Sequence, residues 1–299
     1  MILCLDIGGS TIKAATATSA SDLRRLSTHP TPRDDFDAFA AAIAGLLPPA
    51  PPATPVAIAI AGVVDPATGV ITCANIPCID GRPLAADLTA RLGRPVVIGN
   101  DADLFALAEA RVGAGQGHRI VFGAILGTGV GGGLVIDGRL VAGAGGYAGE
   151  WGHAPIAATR VGTPPVELPR LACGCGQVGC LDTLGAARGL ERLHRHLAGR
   201  DATSVEIVAG WQRGEPQPTR SMDIFFEIVA APLALVVNVV GADIVPLGGG
   251  LSRSAALVAR LDREVRARIL RRTAAPLVVP ARLAIEPGLV GAAILGGAR

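Results

Sequence analysis

The stretch "ILCLDIGGSTIKAATAT" (residues 2–18) decides how the rest of the chain is read. An apolar run meets Asp6, turns through Gly8, Gly9 and Ser10, and continues with strand-like composition, so a hairpin closed by "GGS" is predicted. The same order returns at "RIVFGAIL" (119–126), which turns through "GTGVGGG" and comes back as "LVIDGRLVAG" (134–143). The Asp137-Gly138 pair in that returning arm is a strong short hairpin signal. Two strand, glycine turn, strand openings predict an α/β protein of two lobes with related topology facing one cleft.

The intervening chain fills out that plan. A helix over about 35–47 stops at "PPAPPATP". "VAIAIAG" (56–62) and "PVVIGND" (95–101) read as buried strands, each expected to deliver a polar group at its C-terminal end, where open α/β sheets place ligands. "ADLFALAEARVG" (102–113) predicts a helix running away from Asn100 and Asp101. Later come helices at about 185–199, 203–212 and 220–240, a strand at 243–249, a basic helix at 254–272 and a last apolar helix from about 287. The expected division is a small lobe over 1–116, completed by the C-terminal helix (about 287–299), and a large lobe over 117–286.

Bulk properties narrow the function. The 299 residues are 50% apolar and 17% charged, which excludes a disordered chain, and the net charge of +2 calls for no polyanionic partner. Arginines are scattered and no basic stripe carries interleaved aromatics, so no nucleic-acid partner is expected. The N-terminus has no basic leader. "IVAAPLALVVNVV" (228–240) holds Pro232 and Asn238 and is shorter than the ~20 residues of a membrane span. A cytoplasmic protein with no membrane partner is expected.

Taken singly, a glycine turn is a tight hairpin before it is anything else. Turns at 8–10 and 127–129, with a third run at Gly248, Gly249 and Gly250, read together as a nucleotide cradle, because main-chain N–H groups crowd there with no Cβ in the way. Asp6 beside such a cradle calls for a cation, Mg²⁺ held directly or through water. Lys13 is a phosphate neutraliser or a solvated strand residue. Asp101 is a helix cap or a cleft-facing carboxylate. Three of six cysteines fall within "CGCGQVGC" (173–180), a spacing that leaves zinc and a disulfide both open.

"DIGGSTIK" (6–13), "GNDADLFALAEA" (99–110), "GTGVGGGLVIDGRLVAGAGGYAGEWGH" (127–153) and "CGCGQVGCLD" (173–182) resemble the successive signatures of the ROK family of sugar kinases and related repressors, over nearly the whole chain. The resemblance implies the two-lobed actin-like ATPase fold, related to ribonuclease H, and an enzyme that uses Mg·ATP to phosphorylate a hexose at its 6-hydroxyl. It makes Asp101 the base. Sugar contacts fall to Gly62, Asn75, Asn100, Asp101, Glu150, His153 and Asp182, the last standing where the family usually has glutamate. Nucleotide and Mg²⁺ fall to Asp6, Gly8, Gly9, Ser10, Thr11, Lys13, Gly127, Thr128, Gly129 and Gly248–Gly250. His153, Cys173, Cys175 and Cys180 become a structural Zn²⁺ site, with a longer insert than usual between His153 and Cys173. An N-acetylhexosamine (N-acetylglucosamine or N-acetylmannosamine) is the expected substrate, read partly from Ala61 and Val63 as a patch for an acetyl methyl; a glucokinase is the alternative. A sugar-sensing repressor is the reading from another class, and Asp6 so near the start counts against the DNA-binding segment it needs. Homodimers or homotetramers are common in the family. Cys4 is expected in the core, Cys73 and Cys78 near the pocket, and His29, His118, His194 and His196 on the surface.

Overall fold

A computed structural model describes residues 1–283 and 286–298. In chain order the elements are β1 (Ile2–Ile7), β2 (Thr11–Ala17), β3 (Leu23–Pro30), α1 (Phe36–Leu46), β4 (Val56–Ile60), β5 (Val63–Val64), β6 (Ile71–Thr72), α2 (Leu84–Leu92), β7 (Val96–Asn100) and α3 (Asp101–Val112). There follow β8 (Ile120–Leu126), β9 (Val130–Ile136), β10 (Arg139–Leu140), β11 (Arg160–Val161), β12 (Val166–Glu167), α4 (Ala187–Ala198), α5 (Ser204–Gln212), α6 (Pro216–Val240), β13 (Val245–Gly248), α7 (Ala255–Arg266), β14 (Val278–Pro280) and α8 (Pro287–Leu295).

The expected duplication is visible in the sheets. One is ordered β3-β2-β1-β4-β7 and the other β10-β9-β8-β13-β14. In the first, β1 pairs antiparallel with β2 across the "GGS" turn and parallel with β4, which pairs parallel with β7. In the second, β13 lies parallel to both β8 and β14. Each sheet thus sets a parallel run behind its opening hairpin, and the glycine turns and the Asn100 strand end fall at equivalent edges.

The chain divides into two compact units, one of Met1–Gln116, Gly133–Ala148 and Leu283 onward, the other of Gly117–Gly132 and Gly149–Arg282. The sequence reading kept 133–148 with the large lobe; here it belongs with the N-terminal unit. The reason is close packing: a Cβ on Gly133 would lie 2.8 Å from the Asp103 Cα and 2.9 Å from the Ala106 Cβ, so only glycine lets β9 reach α3. Arg111 of α3 also donates to the Gly138 carbonyl at 3.2 Å. Asp137 (φ 51) and Gly138 (φ 71) both take left-handed backbone, as the two-residue hairpin between β9 and β10 demands. The expected C-terminal helix ends at Leu295; residues 284, 285 and 299, which the domain expectation includes, lie outside the described ones.

The first unit's core is a sandwich of alternating residues. Leu3, Leu5, Ile7, Ile12, Ile58 and Ile60 pack with Phe39 and Ile43 of α1. β4 is buried at every position, as expected of a central parallel strand. In the second unit, α6 begins at Pro216, not near 220, and runs 25 residues, so its length and composition are those of a spanning helix while half of its most apolar window is buried. Met222, Phe225, Phe226, Val229 and Leu233 are its buried stripe. His194, expected on the surface, is fully buried and shares a 2.8 Å hydrogen bond with Ser221.

Candidate functional site

In the first unit the polar candidates gather at the C-terminal strand ends. Asn100 is the N-cap of α3: its Oδ1 accepts from the Ala102 and Asp103 amides at 2.8 and 3.0 Å, and its Nδ2 donates to the Gly62 carbonyl at 3.1 Å. Capping therefore falls to Asn100, and Asp101 stands exposed at the first helical position with its Oδ1 accepting from Ala102 at 2.9 Å. The helix dipole favours a carboxylate there. Gly62 is tightly placed, since a Cβ would lie 3.0 Å from Ile71 Cδ1 and from the Thr72 carbonyl oxygen. Cys73 is buried, donates to the Ala61 carbonyl at 3.0 Å, and has its thiol pushed up by burial and further by Asp80 and Asp101. Cys4 is likewise in the core.

The first glycine turn is closed by the Gly8 amide donating to Thr11 O at 2.9 Å. Asn75 lies against it: a Cβ on Gly9 would be 3.2 Å from the Asn75 Cβ. Ser10 and Thr11 are exposed. Asp6 pairs across the hairpin with Lys13, its carboxyl raised by burial and pulled part of the way back by the ammonium 3.7 Å away. Lys13 is also 3.4 Å from Glu286, a mostly buried carboxylate that pairs with Arg25 as well. Two residues missed by sequence reasoning thus join this turn: Glu286, and Thr31, whose hydroxyl donates to the Gly8 carbonyl at 2.7 Å. Thr31 between two prolines and an acid opening "EPG" are weak signals that no general pattern would have singled out.

In the second unit the two other glycine runs meet. The Gly127 amide donates to Gly129 O at 3.0 Å and closes the turn, and the Ala187 amide at the head of α4 donates to Gly127 O at 3.0 Å. Gly249 (φ 88) presses on the Leu126–Gly127 peptide so closely that a Cβ would be 2.6 Å from the Gly127 nitrogen. The turn is shorter than "GTGVGGG": β9 begins at Val130, and Gly132 serves packing, with a Cβ there 2.9 Å from the rings of Phe122 and Trp151.

The remaining candidates lie on the loops before α4. The Glu150 carboxyl is raised by burial, lowered by His153 and raised again by Asp182. His153 Nε2 is 3.6 Å from Glu150 Oε2, and its Nδ1 is 3.5 Å from Cys173 Sγ. Cys175 and Cys180 Sγ are 3.6 Å apart. One ligand atom from each of His153, Cys173, Cys175 and Cys180 falls within 4.8 Å of the others, and the cysteines are free thiols. The Gln177 backbone lowers the Cys175 thiol to about 7, while burial pushes the Cys180 thiol up to about 12. The insert before Cys173 carries the β11–β12 hairpin, tied to α6 through the Gly162 amide and Glu227 at 2.9 Å. It leaves all four candidate ligands together.

A sequence profile of the ROK family matches residues 2–298. The N-acetyl-D-glucosamine kinase of Escherichia fergusonii is 35% identical over 294 residues, covering 97% of each chain. The N-acetylgalactosamine kinase AgaK of Shewanella sp. strain ANA-3 is 38% identical over 299 residues, covering 98% of this chain and 95% of that one. The crystal structure of a ROK family glucokinase from Streptomyces griseus in complex with glucose and AMPPNP superposes with a TM-score of 0.76 at 29% identity, covering 98% of both.

Proposed function

The chain belongs to the ROK family, and from that membership we propose that it is an ATP-dependent kinase phosphorylating the 6-hydroxyl of an N-acetylhexosamine. Kinases for N-acetylglucosamine and N-acetylgalactosamine are the relatives that support the acetamido sugar. The observation that carries the reading is the head of α3, where Asn100 caps the helix and bonds Gly62 while Asp101 presents an exposed carboxylate at the first helical position. That carboxylate accepts the hydroxyl proton as the sugar oxygen bonds to the γ-phosphorus and the bond to ADP breaks. Glu150 and His153 Nε2 pair with sugar hydroxyls, as does Asn75, and desolvated hydroxyls need such partners. For the nucleotide, the first unit offers the Gly8–Thr11 turn and Lys13, and the second offers the Gly127–Gly129 turn and Gly248–Gly250. The cytoplasm, where ATP is made available, is the proposed compartment.

Asp6 would hold Mg²⁺, which supplies charge neutralisation to the phosphates; a half-buried carboxylate that one lysine only partly compensates fits a cation. His153, Cys173, Cys175 and Cys180 would hold Zn²⁺, a closed N/S₃ set that supplies structure rather than chemistry. With Nδ1 on the thiol side, His153 Nε2 is left facing Glu150, which fixes its tautomer for a substrate hydroxyl.

Coupled ADP production with Mg·ATP against N-acetylglucosamine, N-acetylgalactosamine, N-acetylmannosamine and glucose tests the reading through kcat/KM. One acetamido sugar should exceed glucose by about 100-fold; a preference for glucose would make the protein a glucokinase, and no turnover with any sugar would remove the kinase assignment. Val63, half-buried beside Gly62, is proposed to seat the acetyl methyl. Val63→Gln should then lower kcat/KM for the acetamido sugar about tenfold more than for glucose. Equal losses for both would place the acetyl group elsewhere.

A further inference from the structure

Asp182 reads from the sequence as a sugar contact, and one of its two carboxylate oxygens is committed to the backbone. Its Oδ1 accepts from the Val130 amide at 2.7 Å. A Cβ added to Gly129 would come within 2.5 Å of the same oxygen, so the carboxylate sits against the end of the Gly127–Gly129 turn where the chain enters β9. The segment that carries it is firmly held. Leu181 and Thr183 are buried, the Leu181 amide donates to Ala154 O at 2.9 Å, Thr183 Oγ1 to Cys180 O at 2.8 Å, and Arg192 to Thr183 O at 3.0 Å.

A turn of Gly-Thr-Gly has almost no side chain with which to fix its own shape, and glycine gives up the most conformational freedom on ordering. Beyond its own Gly127 to Gly129 hydrogen bond, its hold comes from outside, from the Ala187 amide, from the close approach of Gly249, and from Asp182. Of these, only Asp182 supplies a charged acceptor, and charge-assisted hydrogen bonds are roughly twice as strong as neutral ones. We infer that Asp182 is a positioning residue for the nucleotide-phosphate turn: it anchors Val130 to the rigid segment after Cys180 and presets the turn for ATP, with sugar affinity depending on it only weakly. The inference deepens the kinase reading and rests on it for the identity of the ligand.

The test compares wild type with Asp182→Ala and Asp182→Asn, using calorimetry with Mg·ADP and with the preferred sugar, and KM for each substrate. The alanine variant should weaken Mg·ADP binding and raise KM for ATP about tenfold or more, with sugar affinity within about threefold. Asparagine keeps an oxygen acceptor of the same reach, so it should restore nucleotide affinity to within about threefold of wild type. A loss falling mainly on the sugar, or unchanged Mg·ADP binding in the alanine variant, would overturn the inference. Gly129→Ala supplies an independent readout. Its methyl meets the Asp182 oxygen, so its cost to Mg·ADP affinity should shrink in the Asp182→Ala background, whereas additive losses would count against the anchor. Failure of the kinase reading would show separately, as absence of turnover in wild type; the Mg·ADP titrations do not depend on turnover.

Discussion

Replacing Asp101 with asparagine is expected to lower kcat by about 10²- to 10⁴-fold, the range a positioned general base supplies, while sugar affinity stays within about tenfold. The substitution is informative because the two functions a carboxylate could serve at this position are held by different residues. Asn100 accepts from both Ala102 and Asp103, so the start of α3 survives the change, and the Asn100 bond to Gly62 keeps the strand end in place. An amide at residue 101 preserves size and the contact with the Ala102 amide but cannot take up a proton near neutral pH. Steady-state turnover with the preferred sugar, together with calorimetry of sugar binding, separates the outcomes. Full turnover would show that the proton leaves by another route. A matched collapse of binding and turnover would instead make residue 101 a structural element of the pocket.

The parts of the fold that were legible in the sequence are those where one local rule acts alone. β1, β4 and β7 are apolar runs ended by turns or polar residues, and α3 starts at an asparagine followed by acids, so their positions followed from pattern and capping. The glycine block after β8 was harder, because glycine serves two needs that look identical in sequence. Gly127 and Gly129 belong to a turn, whereas Gly132 and Gly133 lie within β9 and are glycine because aromatic rings and α3 come too close for a Cβ. Only the neighbours, distant in sequence, tell these apart. The same holds for His194, whose polarity suggested the surface but whose buried bond to Ser221 is made across two helices. Glu286 was invisible for a related reason. A carboxylate near the C-terminus carries no motif until the fold brings it to Lys13 and Arg25, beside the first glycine turn. Asp182 is named from the sequence, but its bond to the Val130 amide is not, since the two lie 52 positions apart and neither segment marks the pair.

Cys175→Ala is expected to abolish zinc binding and, through it, to raise the sugar KM about tenfold or more with a smaller effect on the KM for ATP. The chain purified under reducing conditions should carry one zinc, measured by elemental analysis, because four ligand atoms of the right kinds lie within 4.8 Å of one another. Cys175 is exposed, so its removal leaves no cavity in the core and the loss is of a ligand rather than of packing. The effect reaches the sugar through one ring. His153 faces Cys173 with Nδ1 and Glu150 with Nε2, and an ion on Nδ1 would lock the tautomer and ring angle that these two contacts alone hold less firmly. His153→Gln should therefore reproduce the sugar KM change, and added zinc should rescue a chelated wild-type sample while leaving both variants unchanged. Recovery of full activity in a metal-free wild-type protein would remove the ion from the account and leave the cysteines as free thiols; a mass consistent with two lost hydrogens, reversed by reductant, would instead identify a disulfide in their place.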